Sequence, residues 1–119
     1  MQKILLKAQR EQLQRNAIAT AAVHLMGSDE TPDHRPVVKF FNPCGAATWL
    51  ISEMEDDGRM YGLCDLGFGT PELGYVMLDE LTSIRLKFGL RIERDMHFKA
   101  DKPLSEYATE AREQGRIVA

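Results

Sequence analysis

Tyr61-Gly-Leu-Cys-Asp-Leu-Gly-Phe-Gly-Thr-Pro-Glu-Leu-Gly-Tyr75 is the most informative segment of the chain. Two apolar runs flank Gly67-Phe-Gly-Thr-Pro71, so the pattern predicts two strands joined by a loop with a demanding backbone. Lone polar side chains interrupt the runs at Cys64, Asp65 and Glu72. Loops of this kind place a few polar groups at the rim of a sheet. We therefore expect Cys64, Asp65 and Glu72 to lie at the rim of the sheet, where they could form a functional site.

Short β-type runs continue along the chain around this stretch. Turn signals at Asn42-Pro-Cys-Gly45 and Glu55-Asp-Asp-Gly58 separate them. The four strands predicted in this way cover residues 37–41, 48–54, 60–66 and 73–77. The first two strands read as a hairpin.

A fifth strand is predicted from residue 90 to residue 98, where apolar and polar residues alternate. The core side takes Leu90, Ile92, Met96 and Phe98, and Arg94 breaks the apolar pattern. The polar side takes Arg91, Glu93, Asp95 and His97. Such alternation is typical of a strand with one face on the core and one face in solvent.

Helical patterns occupy the two ends of the chain and one connection between strands. The predicted segments are an N-terminal helix in residues 1–26, a loop in residues 27–36, the sheet in residues 37–98 with a short helix near residues 78–87, and a C-terminal helix in residues 103–115. The first helix is expected to be interrupted near Asn16. Gly89 and Gly115 suit the ends of the other two helices.

The fold class that follows is α+β. An antiparallel meander of about five strands is packed by the N-terminal helix, the short connecting helix and the C-terminal helix, with the helices on one sheet face. The chain has 119 residues, 44% hydrophobic and 28% charged, which predicts one globular domain and excludes fibrous and disordered classes.

The apolar runs are too short to cross a bilayer, and the N-terminal residues lack the apolar core of a secretory signal. These features predict a cytoplasmic protein without a membrane partner. Only Cys44 and Cys64 are present, so a disulfide framework is not expected and both thiols are predicted to be reduced.

Charge is distributed unevenly along the chain, although the formal net charge is only -3. Between residues 53 and 80 eight carboxylates face a single cation, Arg59. Between residues 85 and 102 cations outnumber acids. The asymmetry could steer a charged partner, but we expect the two stretches to neutralise each other within the sheet.

The chain resembles the bacterial family catalogued as domain of unknown function 2958. The residues that carry the resemblance are His34-Arg-Pro-Val-Val-Lys-Phe-Phe41, Ala47-Thr-Trp-Leu50, Gly62-Leu-Cys-Asp-Leu-Gly67, Pro71-Glu-Leu-Gly-Tyr-Val76, Glu93-Arg-Asp-Met-His-Phe98 and Lys102-Pro-Leu-Ser-Glu-Tyr-Ala108. The resemblance implies a small stand-alone protein of plasmids, integrative elements or prophages, near antirestriction or conjugation modules. It implies no catalytic residues. Cys44 and Met96 depart from the family pattern.

An enzyme is one alternative. Cys64 could act as a nucleophile with His97 as its base and Asp95 or Asp65 as the orienting group. Asp65 and Glu72 could also serve a small ligand. The competing interpretation is that Cys64 is a small buried strand residue and His97 lies on a solvated face.

Metal and cofactor sites are not predicted. Suitable donor types are present at His34, His97, Cys64, Asp65 and Glu72, but their spacing matches no known metal motif. The glycines of the central loop resemble a phosphate loop only superficially, because no Lys-Ser or Lys-Thr pair follows them. Turn geometry explains them better.

Nucleic-acid binding is a second alternative. The basic residues of the C-terminal half are Arg85, Lys87, Arg91, Arg94, Lys99 and Lys102. Phe88 and Phe98 lie among them and could stack on bases. A sequence pI near 5.6 argues against this interpretation.

The favoured function is that of a protein-binding module rather than an enzyme. Exposed edge strands, the polar sheet face and the central loop would meet the partner. The predicted binding residues are Asp65, Phe68, Glu72, Arg91, Glu93, Asp95 and His97. Phe68, between two glycines, would be the anchor if it points outward, whereas a Phe68 that folds back would close the core.

Overall fold

A computed structural model describes residues 2–119. Its elements in chain order are α1 (Lys7–Leu25), β1 (Val38–Phe41), β2 (Thr48–Met54), β3 (Arg59–Asp65), β4 (Glu72–Met77), α2 (Leu78–Ser83), β5 (Glu93–Arg94) and α3 (Leu104–Gln114). The predicted α+β class, with a helix at each end and a short one between, is confirmed. Within residues 2–119 no helix is both long and apolar enough to cross a membrane.

The sheet is antiparallel, with the strand order β4-β3-β2-β1-β5. The first four strands form the predicted meander through short hairpins. β5 does not continue beside β4, because α2 and a 3-10 turn at Lys87–Gly89 carry the chain back to β1. The two edges of the sheet are therefore β4, with six residues, and β5, with two.

The sheet is covered on both faces. Trp49 and Ile51 of β2 pack in one core with Leu13 of α1 and Leu81 of α2. Leu50, between them, faces the other core, which α3 fills with Leu104, Tyr107, Ala108 and Ala111. Side chains alternate along a strand, so these two cores lie on opposite faces. The prediction that the helices cover one face of the sheet was therefore wrong. The periodicity of a helical segment shows which side of the helix is buried, but it does not show which face of the sheet that side contacts.

α1 continues through Asn16 without the predicted interruption. The Asn16 side chain is buried, and its amide nitrogen donates to the carbonyl of Ser52 at 2.9 Å. Ser52 is the residue that a bulge leaves out of the β2–β3 ladder, between Ile51 and Glu53. A buried polar residue in α1 thus holds the helix to an irregular point of the sheet.

The fifth strand is much shorter than the alternation of residues 90–98 predicted. Ladder pairing stops at Arg94, which is buried, and its guanidinium donates to the carbonyl of Lys3. The chain then turns, because the backbone N–H of His97 donates to Asp95 Oδ1 at 2.8 Å. Met96 is consequently exposed instead of buried.

Candidate functional site

The suggested nucleophile and base, Cys64 and His97, are not brought together. Cys64 stands in one row across the sheet with Trp49, Phe40 and Arg94. Three strand spacings separate the ends of that row, or about 14 Å, and His97 lies beyond Arg94. Burial also raises the pKa of the Cys64 thiol to about 11. At neutral pH the thiol is therefore protonated and a poor nucleophile.

Thiol alkylation tests this assignment. At pH 8 iodoacetamide is expected to modify exposed Cys44 while Cys64 stays unmodified, because only about a thousandth of a thiol with that raised pKa is ionised. Reactivity of Cys64 should rise as the pH approaches its pKa, or when urea unfolds the chain. Mass spectrometry of peptides separates the two sites. Equal rates at Cys44 and Cys64 in the folded protein would show an activated thiol instead.

Asp65 stabilises the fold through hydrogen bonds to two backbone segments. Its carboxylate is buried and accepts hydrogen bonds from the backbone N–H groups of Gly67 at 2.9 Å and Ile117 at 3.0 Å. One oxygen shapes the loop that follows β3, and the other holds the chain after α3. Both oxygens are engaged, so Asp65 supports the rim of the sheet from inside.

The predicted polar face on the fifth strand is only partly assembled. Asp95 accepts from the His97 backbone and lies 3.6 Å from Lys39 Nζ, so this carboxylate is engaged within the chain. Arg91 and Glu93 are half-buried around a pocket of about 430 Å³ next to β5, and the His97 side chain is exposed. These residues therefore do not form one continuous face.

The loop between β3 and β4 presents an aromatic ring to solvent. Phe68 is 82% exposed and Leu66 is 58% exposed. Gly67 and Gly69, on either side of Phe68, have φ values of 90° and 85°, which glycine adopts without strain. The ring points outward and does not close the core. We name residues 66–70 the rim loop.

The edge strand beside this loop is open. Among the residues that the structure describes, 72–77 hydrogen-bond only along the β3 ladder. The opposite edge is closed, since the Gln2 side-chain amide accepts from Arg94 N at 2.9 Å and donates to Arg94 O at 2.8 Å. Gln2 thus replaces a neighbouring strand at β5, and no residue from 2 to 119 covers β4 in a comparable way.

An acidic, aromatic cleft of about 550 Å³ adjoins β4. Its lining includes Glu53, Glu55, Asp56, Asp57, Tyr61 and Tyr75. Tyr75 is 58% exposed, and its ring centroid lies 5.1 Å from that of Tyr61. The Arg59 guanidinium carbon is 3.7 Å from the Tyr75 ring centroid, and an Arg59 nitrogen is 3.2 Å from a Glu55 oxygen. The cleft thus already holds one guanidinium between an aromatic face and a carboxylate.

Glu53 is a half-buried residue of the cleft lining. The Thr20 hydroxyl donates to Glu53 Oε2 at 3.0 Å and lies 3.2 Å from His34 Nε2. Burial raises the pKa of Glu53 above its ordinary value, although the bond from Thr20 acts in the opposite direction. Sequence reasoning placed Glu53 only in an acidic stretch, and no local signal joins it to Thr20 in α1.

The acidic and basic stretches do not neutralise each other, contrary to expectation. Ion pairs in the described part of the chain are Lys7–Glu11, Lys39–Asp95, Arg59–Glu55 and Lys102–Glu110. None of them joins the acids of residues 53–80 to the cations of residues 85–102. Glu55 pairs with Arg59, whereas Asp56, Asp57 and Glu72 are exposed and form no ion pair in the described part of the chain.

Two of the six basic residues of the predicted nucleic-acid surface are buried or paired within the chain. Arg94 is buried, and Lys102 is 2.5 Å from Glu110 and 4.6 Å above the Tyr107 ring. The remaining exposed or half-buried cations are Arg85, Lys87, Arg91 and Lys99. Phe98 is half-buried beside Tyr107, whereas Phe88 is almost fully exposed.

The possible metal donors lie on different elements. Cys64 is on β3, Glu72 opens β4, His34 contacts α1, and His97 follows β5. Across residues 2–119 the structure shows no group of three or more His, Cys, Asp or Glu side chains suited to a metal ion.

A family model described as "Protein of unknown function (DUF2958)" matches residues 4–118. The curated proteins contain no match to the chain, and neither do the solved structures.

Proposed function

Since this chain belongs to the DUF2958 family of proteins of unknown function, we propose its function from its surface. The protein is a binding module that accepts an extended, basic segment of another protein along β4, with Phe68 as an apolar anchor. The observation that carries the proposal is the contrast between the open β4 edge and the edge that Gln2 closes.

The open edge supports strand addition. A strand of six residues in an antiparallel sheet leaves about three residues whose N–H and C=O groups point away from its neighbour. Natural proteins normally blunt such an edge, because it pairs readily with other chains. Partner proteins use the same groups when they add a strand to a sheet.

The charge around β4 supports a basic segment. Glu72 is exposed at one end of the strand, and the turn of Glu55, Asp56 and Asp57 lies at the other end. A side chain of an added strand next to Tyr75 would enter the acidic cleft. Arg59 occupies the position between the Tyr75 ring and Glu55, so a basic side chain of the partner would meet the exposed carboxylates of Asp56 and Asp57.

The rim loop supports an apolar contact beyond the strand. Aromatic residues, including Phe, are enriched at protein–protein interfaces relative to the rest of the surface. Phe68 and Leu66 are both exposed on the loop that precedes β4. A partner that follows β4 toward its N-terminal end reaches these two side chains.

The biological setting of the proposal comes from the resemblance to the family. We place the protein in the cytoplasm, as an accessory protein of a bacterial mobile genetic element. Its partner is then a component of host defence or of the conjugation machinery. A basic extended segment is the feature by which that partner is recognised.

Site-specific cross-linking tests the proposal. A photoreactive phenylalanine analogue is placed at Phe68, and in a control variant at Phe88, which is also exposed but lies on another loop. The variant at position 68 is expected to capture one protein through a basic segment, identified by mass spectrometry. A synthetic peptide of that segment should then bind the wild type, and Phe68→Ala should weaken binding by about tenfold or more.

Three results would count against the proposal. The first is capture of the same partner from position 88 and position 68 alike. The second is a captured segment that is acidic or folded as a helix. The third is peptide binding that is unaffected by Phe68→Ala.

A further inference from the structure

We propose a second binding site, for single-stranded nucleic acid, on the loop formed by residues 85–91, here named the basic loop. Phe88 is its stacking platform, and Arg85, Lys87 and Arg91 are its phosphate contacts. The inference does not depend on the proposed function, because the basic loop and β4 carry different residues and opposite charge.

Phe88 is held in the open by its backbone. Its side chain is 94% exposed, and its φ of 60° and ψ of 25° lie in the left-handed region that a bulky residue rarely adopts. The loop is closed around it, because Leu86 N donates to Leu90 O at 2.9 Å and Leu90 N donates to Lys87 O at 3.2 Å. A costly conformation thus keeps an aromatic ring out of the core.

The charge of the basic loop is uncompensated. Residues 85–91 contain three cations and no carboxylate. None of the three forms an ion pair within residues 2–119. Arg85 Nη1 donates to the carbonyls of Thr82 at 3.0 Å and Ile84 at 3.4 Å, which holds the guanidinium in place without neutralising it.

Single-stranded nucleic acid fits this combination best. An unpaired base can stack on an exposed ring while cations contact the adjoining phosphates. A duplex offers no free base faces, and an acidic peptide uses the cations but not the ring. The pocket of about 430 Å³ beside the loop combines apolar Ile4, Leu90 and Ile92 with polar Gln2, Thr82, Arg91 and Glu93, so it offers a neighbouring base both apolar contact and hydrogen-bonding groups.

Fluorescence anisotropy with a labelled, mixed-sequence 20-nucleotide DNA strand tests the site. Binding is expected at low salt, with a slope of about −2 for log K against log salt, the value for three phosphate contacts. Phe88→Ala should weaken binding roughly 5- to 150-fold, the loss of one stacked base. Lys87→Gln should reduce the slope by about 0.7.

Matched variants separate the site from general charge attraction. Phe68→Ala removes an exposed ring from the acidic side of the molecule, and Lys99→Gln removes an exposed cation outside the basic loop. Both variants are expected to bind the strand as the wild type does. Absence of binding at low salt, an equal loss in Phe68→Ala and Phe88→Ala, or equally tight binding of duplex DNA or an oligoglutamate peptide would each overturn the proposal.

Discussion

Asp65→Ala is expected to lower the free energy of unfolding by about 2–4 kcal/mol. The substitution removes the acceptor for two backbone N–H groups, and that of Ile117 is buried, where no water replaces the lost bond. Urea denaturation, followed by circular dichroism, measures the change.

Glu72→Ala is the control for this prediction. Glu72 is an exposed carboxylate seven residues along the chain, and its removal should change stability by less than about 0.5 kcal/mol. If Asp65→Ala were as stable as Glu72→Ala, the buried carboxylate would not hold the rim loop and the C-terminal segment together. Asp65 would then have to be considered again as a binding group.

Gly62→Ala is expected to destabilise the fold by about 3 kcal/mol or more. A Cβ atom at position 62 would lie 2.0 Å from the carbonyl oxygen of Leu50 and 2.9 Å from the Cα of Ile51. Both atoms are backbone, so the β2–β3 pair could accept the methyl group only by moving apart at the bulge. Thermal and urea unfolding report the loss.

Gly74→Ala provides a control within the same sheet. Gly74 pairs directly with Gly62 across the β3–β4 ladder, but a Cβ atom there meets nothing within 4 Å. Alanine at this position should leave stability unchanged or raise it by up to about 1 kcal/mol, because it restricts the unfolded chain. Equal losses in the two variants would show that the strand, and not the close contact, is sensitive to the substitution.

The strands with clear local signals could be predicted from the sequence. β1 to β4 are bounded by turn residues, and their observed limits differ from the predicted ones by one residue at most. β2 also carried an unused signal, since the continuous run Trp49-Leu-Ile51 is typical of a strand buried on both faces. A strand buried on both faces implies helices on both faces of the sheet, and α3 covers the second face.

The fifth strand shows why alternation alone is insufficient. The pattern of residues 90–98 is regular, but a short turn at Asp95 ends the pairing after Arg94. A strand needs a neighbour, and β1 offers pairing to only two residues at this edge. Arg94, which interrupts the apolar alternation of residues 90–98, is buried and hydrogen-bonded to Gln2 and Lys3. No local sequence signal predicts that the N-terminal residues pack against this strand.

The candidate site was predictable only in its exposed loop. Phe68 between two glycines could be proposed as an anchor from its immediate neighbours. The closure of one edge by Gln2 depends on contacts between residues 92 positions apart, and Thr20 meets Glu53 across 33 positions. Such contacts depend on how whole helices and strands pack. The sequence alone therefore could not show that β4, and not β5, is the uncovered edge of the sheet.

Amide hydrogen exchange of β4 in the presence of the partner peptide shows whether the peptide adds to the sheet as a strand. On strand addition, the outward-facing amides of residues 72–77 should exchange at least about tenfold more slowly, because they become hydrogen-bonded to the added strand. Amides of the basic loop should not change. Formation of the complex with unchanged exchange in β4, or with protection confined to another surface, would show that the peptide does not bind by strand addition.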